Sequence, residues 1–454
     1  MTSIRLIQSI IILLLAGAST FAQQTISAGT ASVDISPDFP IALTGYGGRA
    51  GTFEKIEQKL WAKALAMSDA SGKTAILITT DLIGFPASLA DQLAKDLEPY
   101  GIQRHQLAVT ATHTHTGPET GILINITGEK QSPEQLAAVV QYQEALRKKL
   151  KDVTVKALES RKPSILKWGK GSASFAMNRR MIENGKWVGF GKNDGPAEHD
   201  LPILQVVNSE GKTTCILMNY ACHGTTLVPK HNYVHGDWMG DAQLMVEEKF
   251  PGAQAMVVIG CGADSDPQPR GEAAFTVQHG QTIANEASRL LSSNQMMSLT
   301  SAPVTAFEKV PLHFDTIPDL TLLKSRALKK DVNGLLARSY LETRSRGEKI
   351  PDHYLLPVQV WNFGNDLTMI FMGGEVVVDY VRKMKQELGP EKLWMNAYSN
   401  DVSCYIASER LYNEGGYEVD FSMAYYNKPS RFRKDTETRI VSALKKLYEQ
   451  TRVK

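Results

Sequence analysis

His113 and His115, within LAVTATHTHTGPE at residues 107–119, stand two apart at the end of an apolar run and just before Gly117 and Pro118. Neutral imidazole is the commonest metal ligand among side chains near neutral pH, and residues two apart on a strand share a face, so both rings could reach one cation. The other reading is a pair of hydrogen-bonded structural histidines, and the pair alone leaves both open. His223, in NYACHGTT, and Glu375, in MGGEVVVDY, offer a further imidazole and a carboxylate. Two imidazoles and one carboxylate make a ligand set of catalytic zinc, in which three protein ligands leave a position for water or substrate. Glu375 reads equally well as an acid in the first turn of a helix, where exposed N–H groups favour it. His235 of HGDWMGD is another candidate, with Asp237, or Asp81 elsewhere, able to fix a ring tautomer from outside the ligand set. Cys222 beside His223 invites a Cys/His site, but adjacent strand residues point to opposite faces, which favours core filling for Cys222 and likewise for Cys404.

These residues need elements to carry them. Candidate strands are Thr74–Thr80, Leu107–Thr112, Thr214–Tyr220, Ala255–Ile259, Thr368–Met372 and Leu393–Ala397. Candidate helices are Pro133–Leu158, Asp241–Phe250, Val277–Leu291, Leu320–Ser345, Val376–Leu388 and Thr436–Glu449. Ser132, Pro133 and Gln135 supply the cap, the first helical residue and the capping box of the first of these. The Gly- and Asn-rich stretch Glu183–Gly195 reads as a hairpin or loop. Strands interleaved with helices predict an α/β, or mixed α+β, architecture of mixed sheets flanked by helices. Asp81, His113, His223, the GCGADSD loop at residues 260–266 and Glu375 all follow predicted strands, and ligands in open α/β sheets bind beyond such ends.

The remaining chain narrows the class. A net charge of +2 over 454 residues gives no clustered basic face for nucleic acid. The start, MTSIRLIQSIIILLLAGASTFAQQ, pairs Arg5 with a short apolar run and small residues at Thr20 and Ala22, the pattern of a secretory signal peptide over residues 1–22. A secreted or periplasmic protein is expected, with residues 23–454 as one catalytic-size domain. The four cysteines, Cys215, Cys222, Cys261 and Cys404, form no C-x-x-C pair, and their pairing is not deducible from spacing.

In order along the chain, AGTASVDISPD, LTGYGGR, ATHTHTGP, NYACHGTT, HGDWMG, GCGADSDPQPRG and GGEVVVDY give a sequence that resembles the catalytic N-terminal domain of the neutral/alkaline non-lysosomal ceramidase family, from about Ala28 to the C-terminus. The resemblance implies a zinc amidase acting on a lipid-like N-acyl amide, with contact to a membrane surface for substrate access. It places His113, His223 and Glu375 on Zn2+, and Tyr405 of NDVSCYIASERLYNEGGYE as a zinc-contacting tyrosine. It assigns Tyr412 and Tyr417 to further family tyrosines, His115 to an acid/base role and Arg179 of AMNRR to the active-site pocket. Ser265 falls at the family's catalytic serine, but Gly262-Ala263-Asp264-Ser265-Asp266-Pro267 departs from the family's Gly-Asp-Val-Ser-Pro-Asn, and serine in such a loop also serves as a turn residue. The resemblance does not extend to the family's C-terminal β-sandwich domain. Zinc would lower the pKa of a bound water from about 15.7 towards 7, and Tyr405, His115 or Arg179 would stabilise the tetrahedral oxyanion. The rivals are a zinc hydrolase of another amide or ester, a non-catalytic binding protein of the same fold, and a serine hydrolase at Ser265, which lacks the G-x-S-x-G elbow.

Overall fold

The computed structural model describes residues 26–452 apart from positions 48, 50 and 123–130, so the expected signal peptide lies outside the described residues. Among these, a nine-stranded sheet dominates. Its main path runs Gln254–Ile259, Thr213–Tyr220, Asp200–Asn208, Lys162–Ser172, Ile26–Asp34, Trp61–Ser68, Thr74–Thr80, Leu107–Ala111. The pairings are antiparallel except at the two ends of the path, where Gln254–Ile259 lies parallel to Thr213–Tyr220 and Leu107–Ala111 parallel to Thr74–Thr80. Each parallel pair is joined through a helix, Asp237–Lys249 and Ala87–Leu97 respectively, as parallel neighbours require. A second sheet orders Val304–His313, His353–Phe363, Leu367–Met372 and Leu393–Asn396. Its last two strands are again parallel and linked through the helix Asp379–Leu388.

Side-chain alternation sorts the two faces of each sheet. Ala62, Ala64, Ala66, Ile76, Ile78 and Val109 face the helices, while Leu65, Met67, Leu77 and Ala108 face the second sheet. Trp361, Phe363, Met369, Phe371 and Trp394 answer from that sheet's inner face. The layers are therefore helices, large sheet, small sheet, helices, with the period of two written into both sheets. The sequence reading of a mixed α/β fold holds.

Three element predictions need correction. Leu320–Ser345 is two helices, Leu320–Arg326 and Val332–Ser345, because the Asp331 side chain accepts the Gly334 N–H and caps a new start. Val376–Leu388 begins as a helix only at Asp379; Glu375–Val376 is a two-residue strand parallel to Tyr405–Ile406. His113 is not a strand residue: the strand ends at Ala111, and His113 has φ 60°, a left-handed conformation rare outside glycine. The Ser132 capping box forms as expected. Glu183–Gly195 includes the turn and second strand of a hairpin, Ala176–Glu183 with Lys186–Asn193.

One segment closes the large sheet. After Leu393–Asn396 the chain passes between the two ends of the strand path. The Ala397 N–H donates to Ile259 O at 2.9 Å, the Ala111 N–H to Tyr398 O at 3.0 Å and the Asn400 N–H to Val109 O at 2.7 Å. Tyr398 is thereby set against His113, with ring centroids 4.4 Å apart.

Candidate metal centre

Every residue of the centre follows the carboxyl end of a parallel strand or pairs with one that does. His113 and His115 come after Leu107–Ala111, His223 after Thr213–Tyr220, and Glu375 after Leu367–Met372. The His113 N–H donates to Leu82 O at 2.8 Å, and the His115 N–H to Gly224 O at 3.2 Å. A Cβ on Gly224 would stand 2.5 Å from His113 O, so only glycine lets the two histidine loops approach this closely. A turn, not strand pleating, brings the rings of His113 and His115 together.

The three rings share a tautomer. His113 Nδ1 lies 2.6 Å from Ile83 O, His115 Nδ1 3.2 Å from Gly45 O and His223 Nδ1 3.1 Å from Gly262 O. Carbonyls only accept, so each Nδ1 carries the proton and each Nε2 presents a lone pair in the neutral ring. Those lone pairs converge: His115 Nε2 and His113 Nε2 are 3.2 Å apart, and Glu375 Oε2 is 3.2 Å from His113 Nε2 and 3.1 Å from His223 Nε2. Glu375 Oε2 is buried and has no hydrogen-bond partner, while Tyr426 Oη donates to Oε1. Lone pairs and a carboxylate oxygen facing one another in a buried site require a shared positive charge, a proton or a metal ion. The three imidazoles form a group able to hold a metal, with ligand atoms within 4.8 Å of one another. The residues fit a divalent cation.

Burial keeps His115 well below the usual imidazole pKa, and the neighbouring His113 and His223 rings lower it further. Burial also lowers His223, with the Arg179 charge adding to it. Burial alone would raise Glu375, but the His113 and His223 rings outweigh it and hold the carboxyl well below its ordinary range. The predominantly neutral imidazole needed for ligation is the form that burial favours.

Tyr405 stands directly beside Glu375 in the strand register, its phenol oxygen 3.5 Å from His223 Nε2. Arg179 Nη2 donates to that oxygen at 3.1 Å, and the guanidinium is held by Glu418 at 3.1 Å and Asp266 at 3.3 Å. Burial would lower the Arg179 pKa, but Tyr405, Asp266 and Glu418 outweigh it and fix the positive charge. Tyr417 packs its ring 5.4 Å from that of Tyr405. Phe190, on the hairpin, lies 5.1 Å from the Tyr417 ring and under the Arg179 guanidinium at 5.0 Å.

Other candidates fall elsewhere. Tyr412 stacks with Arg431 at 4.3 Å. Asp81 accepts from the Trp61 N–H and Gln243, and the Asp237 carboxylate from the Leu227 and Trp238 N–H groups; the Asp237 N–H donates to His235 Nδ1 at 2.9 Å, but backbone carbonyls set the tautomers of His113, His115 and His223. His235 buttresses the histidine turn through its carbonyl, which accepts from Thr114 and Thr116. Ser265 O accepts the His223 N–H at 3.0 Å, while its buried hydroxyl has no partner. Cys222 is core. Asp266 belongs to the GCGADSD loop that the sequence singles out, whereas Tyr398, Tyr426 and Glu418 carry no such signal: no spacing links them to the histidines, and only the tertiary fold brings them near.

Asp264 gives a pH prediction. Burial pushes its carboxyl up to about 7, against the Val378 N–H that it accepts at 2.9 Å. A raised acid stabilises while protonated: the contribution is complete below the unfolded value of 3.8 and lost as pH rises through about 7. Urea unfolding should lose about 3–5 kcal/mol from this group between about pH 4 and pH 8, and Asp264→Asn should remove that component.

Comparison with known proteins follows the same lines. No curated protein matches the sequence. The structure of neutral ceramidase from Pseudomonas aeruginosa superposes with a TM-score of 0.71 at 16% identity, covering 95% of this chain and 76% of that one. A structure described as ceramidase complexed with C2 gives a TM-score of 0.69 at 15% identity with the same coverage. The family model for neutral/alkaline non-lysosomal ceramidase, N-terminal, matches residues 27–297, more than half of the chain, and the chain belongs to that family.

Proposed function

We propose that this chain is an exported, zinc-dependent amidohydrolase that cleaves the amide of a ceramide-like N-acyl lipid to a fatty acid and an amine. The observation that carries the reading is the meeting of His113, His115 and His223 Nε2 lone pairs with the unpartnered Glu375 Oε2, in a chain of the ceramidase family. His113, His223 and Glu375 would hold the ion, with Tyr405 beside them. Zinc so bound supplies Lewis acidity and a water acidified to a pKa of about 7.

The chain's own groups supply the rest. Arg179 donates to the Tyr405 oxygen, leaving the phenol proton to be given to charge developing on a substrate carbonyl. His115, neutral because it is buried and anchored through Nδ1 on Gly45, has an Nε2 able to take a proton and return it to the leaving amine. An apolar approach suits a lipid: Phe190 is half exposed against Arg179 and Tyr417, Phe421 is half exposed against Trp187 of the same hairpin, and contact with a membrane surface would be made there.

Incubation with ceramide and a panel of N-acyl amino acids should release free fatty acid, most from ceramide. Release from amino-acid conjugates alone would replace ceramide with another amide, and a metal-loaded protein inert on all of them would sink the amidase reading. His115→Ala should keep its metal and lose about 10²- to 10⁴-fold in kcat, the range for a general acid/base. Loss of the metal in that variant would make His115 a ligand instead. N-terminal sequencing of the exported protein should begin after residue 22.

A further inference from the structure

A second group of metal-binding side chains lies on the small sheet. His313 and His353 are direct register partners at the ends of the antiparallel strands Val304–His313 and His353–Phe363, and Asp352 precedes the latter. The two rings lie with centroids 5.6 Å apart. Asp352 Oδ1 is 2.6 Å from His353 Nδ1, and His313, Asp352 and His353 offer ligand atoms within 4.8 Å of one another.

We propose that His313, Asp352 and His353 form a second, surface transition-metal site, distinct from the centre at Glu375. Directly opposed residues on paired strands bring their Cβ atoms to about 4.5–5.5 Å, which lets two imidazoles close on one ion. A proton on Nδ1 of His353 is held by Asp352, which leaves Nε2 for the metal and places a negative charge beside it. Two imidazole nitrogens, with the Asp352 carboxylate behind one ring, suit borderline ions, Zn2+, Ni2+ and above all Cu2+, over the hard Mg2+ and Ca2+.

The backbone beneath the rings is fixed, unlike that of histidines scattered on a mobile surface. His313 O accepts the Arg433 N–H at 2.9 Å, and Asp352 O accepts the Phe314 N–H at 3.0 Å. Phe314 stacks on Phe432 at 5.2 Å with the planes 13° apart, directly after His313 in the chain. Ligands on such a base surrender little conformational freedom on binding. The outer faces stay accessible: Asp352 and His353 are exposed and His313 is half-buried, so water can fill the remaining positions.

Equilibrium dialysis of the full chain against Zn2+ in excess Mg2+, read by elemental analysis, tests the site. Wild type should take two ions per chain, and His313→Asn and His353→Asn one each. His105→Asn, at an exposed histidine elsewhere, should still take two. Asp352→Asn should weaken the second ion by about 10- to 100-fold. His223→Ala should lose the other ion while keeping this one, which separates failure here from failure of the proposed catalytic centre. Cu2+ bound to that variant should show two-nitrogen coupling in its electron paramagnetic resonance spectrum. A wild type that saturates at one ion with His223 present and at none in His223→Ala overturns the site. So does a second ion that survives either histidine substitution in a variant with wild-type circular dichroism.

Discussion

Glu375→Ala should leave the purified protein without stoichiometric metal and without measurable acyl release. Among the described residues the carboxylate is the one formal negative charge at the meeting point of the imidazoles, 3.2 Å from His113 Nε2 and 3.1 Å from His223 Nε2. Removing it leaves neutral nitrogen donors only and deprives the buried Tyr426 hydroxyl of its acceptor. Tyr426→Phe is the calibrating variant. It keeps all proposed ligands and removes only the hydrogen bond that orients one of them, so metal affinity should fall by about 10- to 100-fold. Glu375→Ala must fall further than Tyr426→Phe. Equal metal content in wild type and Glu375→Ala would remove the carboxylate from the ligand set.

The second large effect is one of stability. Glu418 is buried between two arginines, accepting from Arg179 Nε at 3.1 Å and from Arg180 Nη1. Glu418→Ala would leave both guanidinium groups short of a counter-charge in the interior. Breaking a buried pair by removing one partner costs about 3–5 kcal/mol, and that loss should appear in urea unfolding. Arg179 would also lose one of the two carboxylates that aim it at Tyr405, so kcat should drop in the fraction that remains folded. Glu418→Gln, which keeps the shape and one acceptor oxygen, should fall between the two. A loss under about 1 kcal/mol, the range of exposed pairs, would mean that water replaces the carboxylate.

The buried parallel strands are legible because they are short continuous apolar runs, as TAILITT at residues 74–80 and AMVVI at residues 255–259 show. Trp61–Ser68, WAKALAMS, carries no strand signal: Ala, Leu, Met and Lys favour helix, and pairing on both sides with Ile26–Asp34 and Thr74–Thr80 overrides them. Ile26–Asp34 is small and polar enough to read as loop, and it is held as a strand by its neighbours. Two residues have no periodicity, so the strand Glu375–Val376 could not be seen, and its run of valines merged into the following helix. Ordered motifs named His113, His223, Glu375 and Tyr405, and the fold brings these together. The hydrogen bonds that set the ring tautomers are accepted by the backbone carbonyls of Ile83, Gly45 and Gly262, on which side-chain identity leaves no mark.

The stretch Ala397–Asn400, which spans both ends of the large sheet's strand path, bears on how this chain matures. Until residues 397–400 have been made, the borders of Gln254–Ile259 and Leu107–Ala111 lack the partners that Ile259 O, Val109 O and the Ala111 N–H find there, and unpaired strand borders recruit other strands. The imidazole-bearing loops emerge first, and the acidic partner arrives with the segment that seals those borders. On the proposed function, ion capture and protection from self-association would be one late event, and a nascent chain stalled before residue 375 would be both metal-poor and sticky.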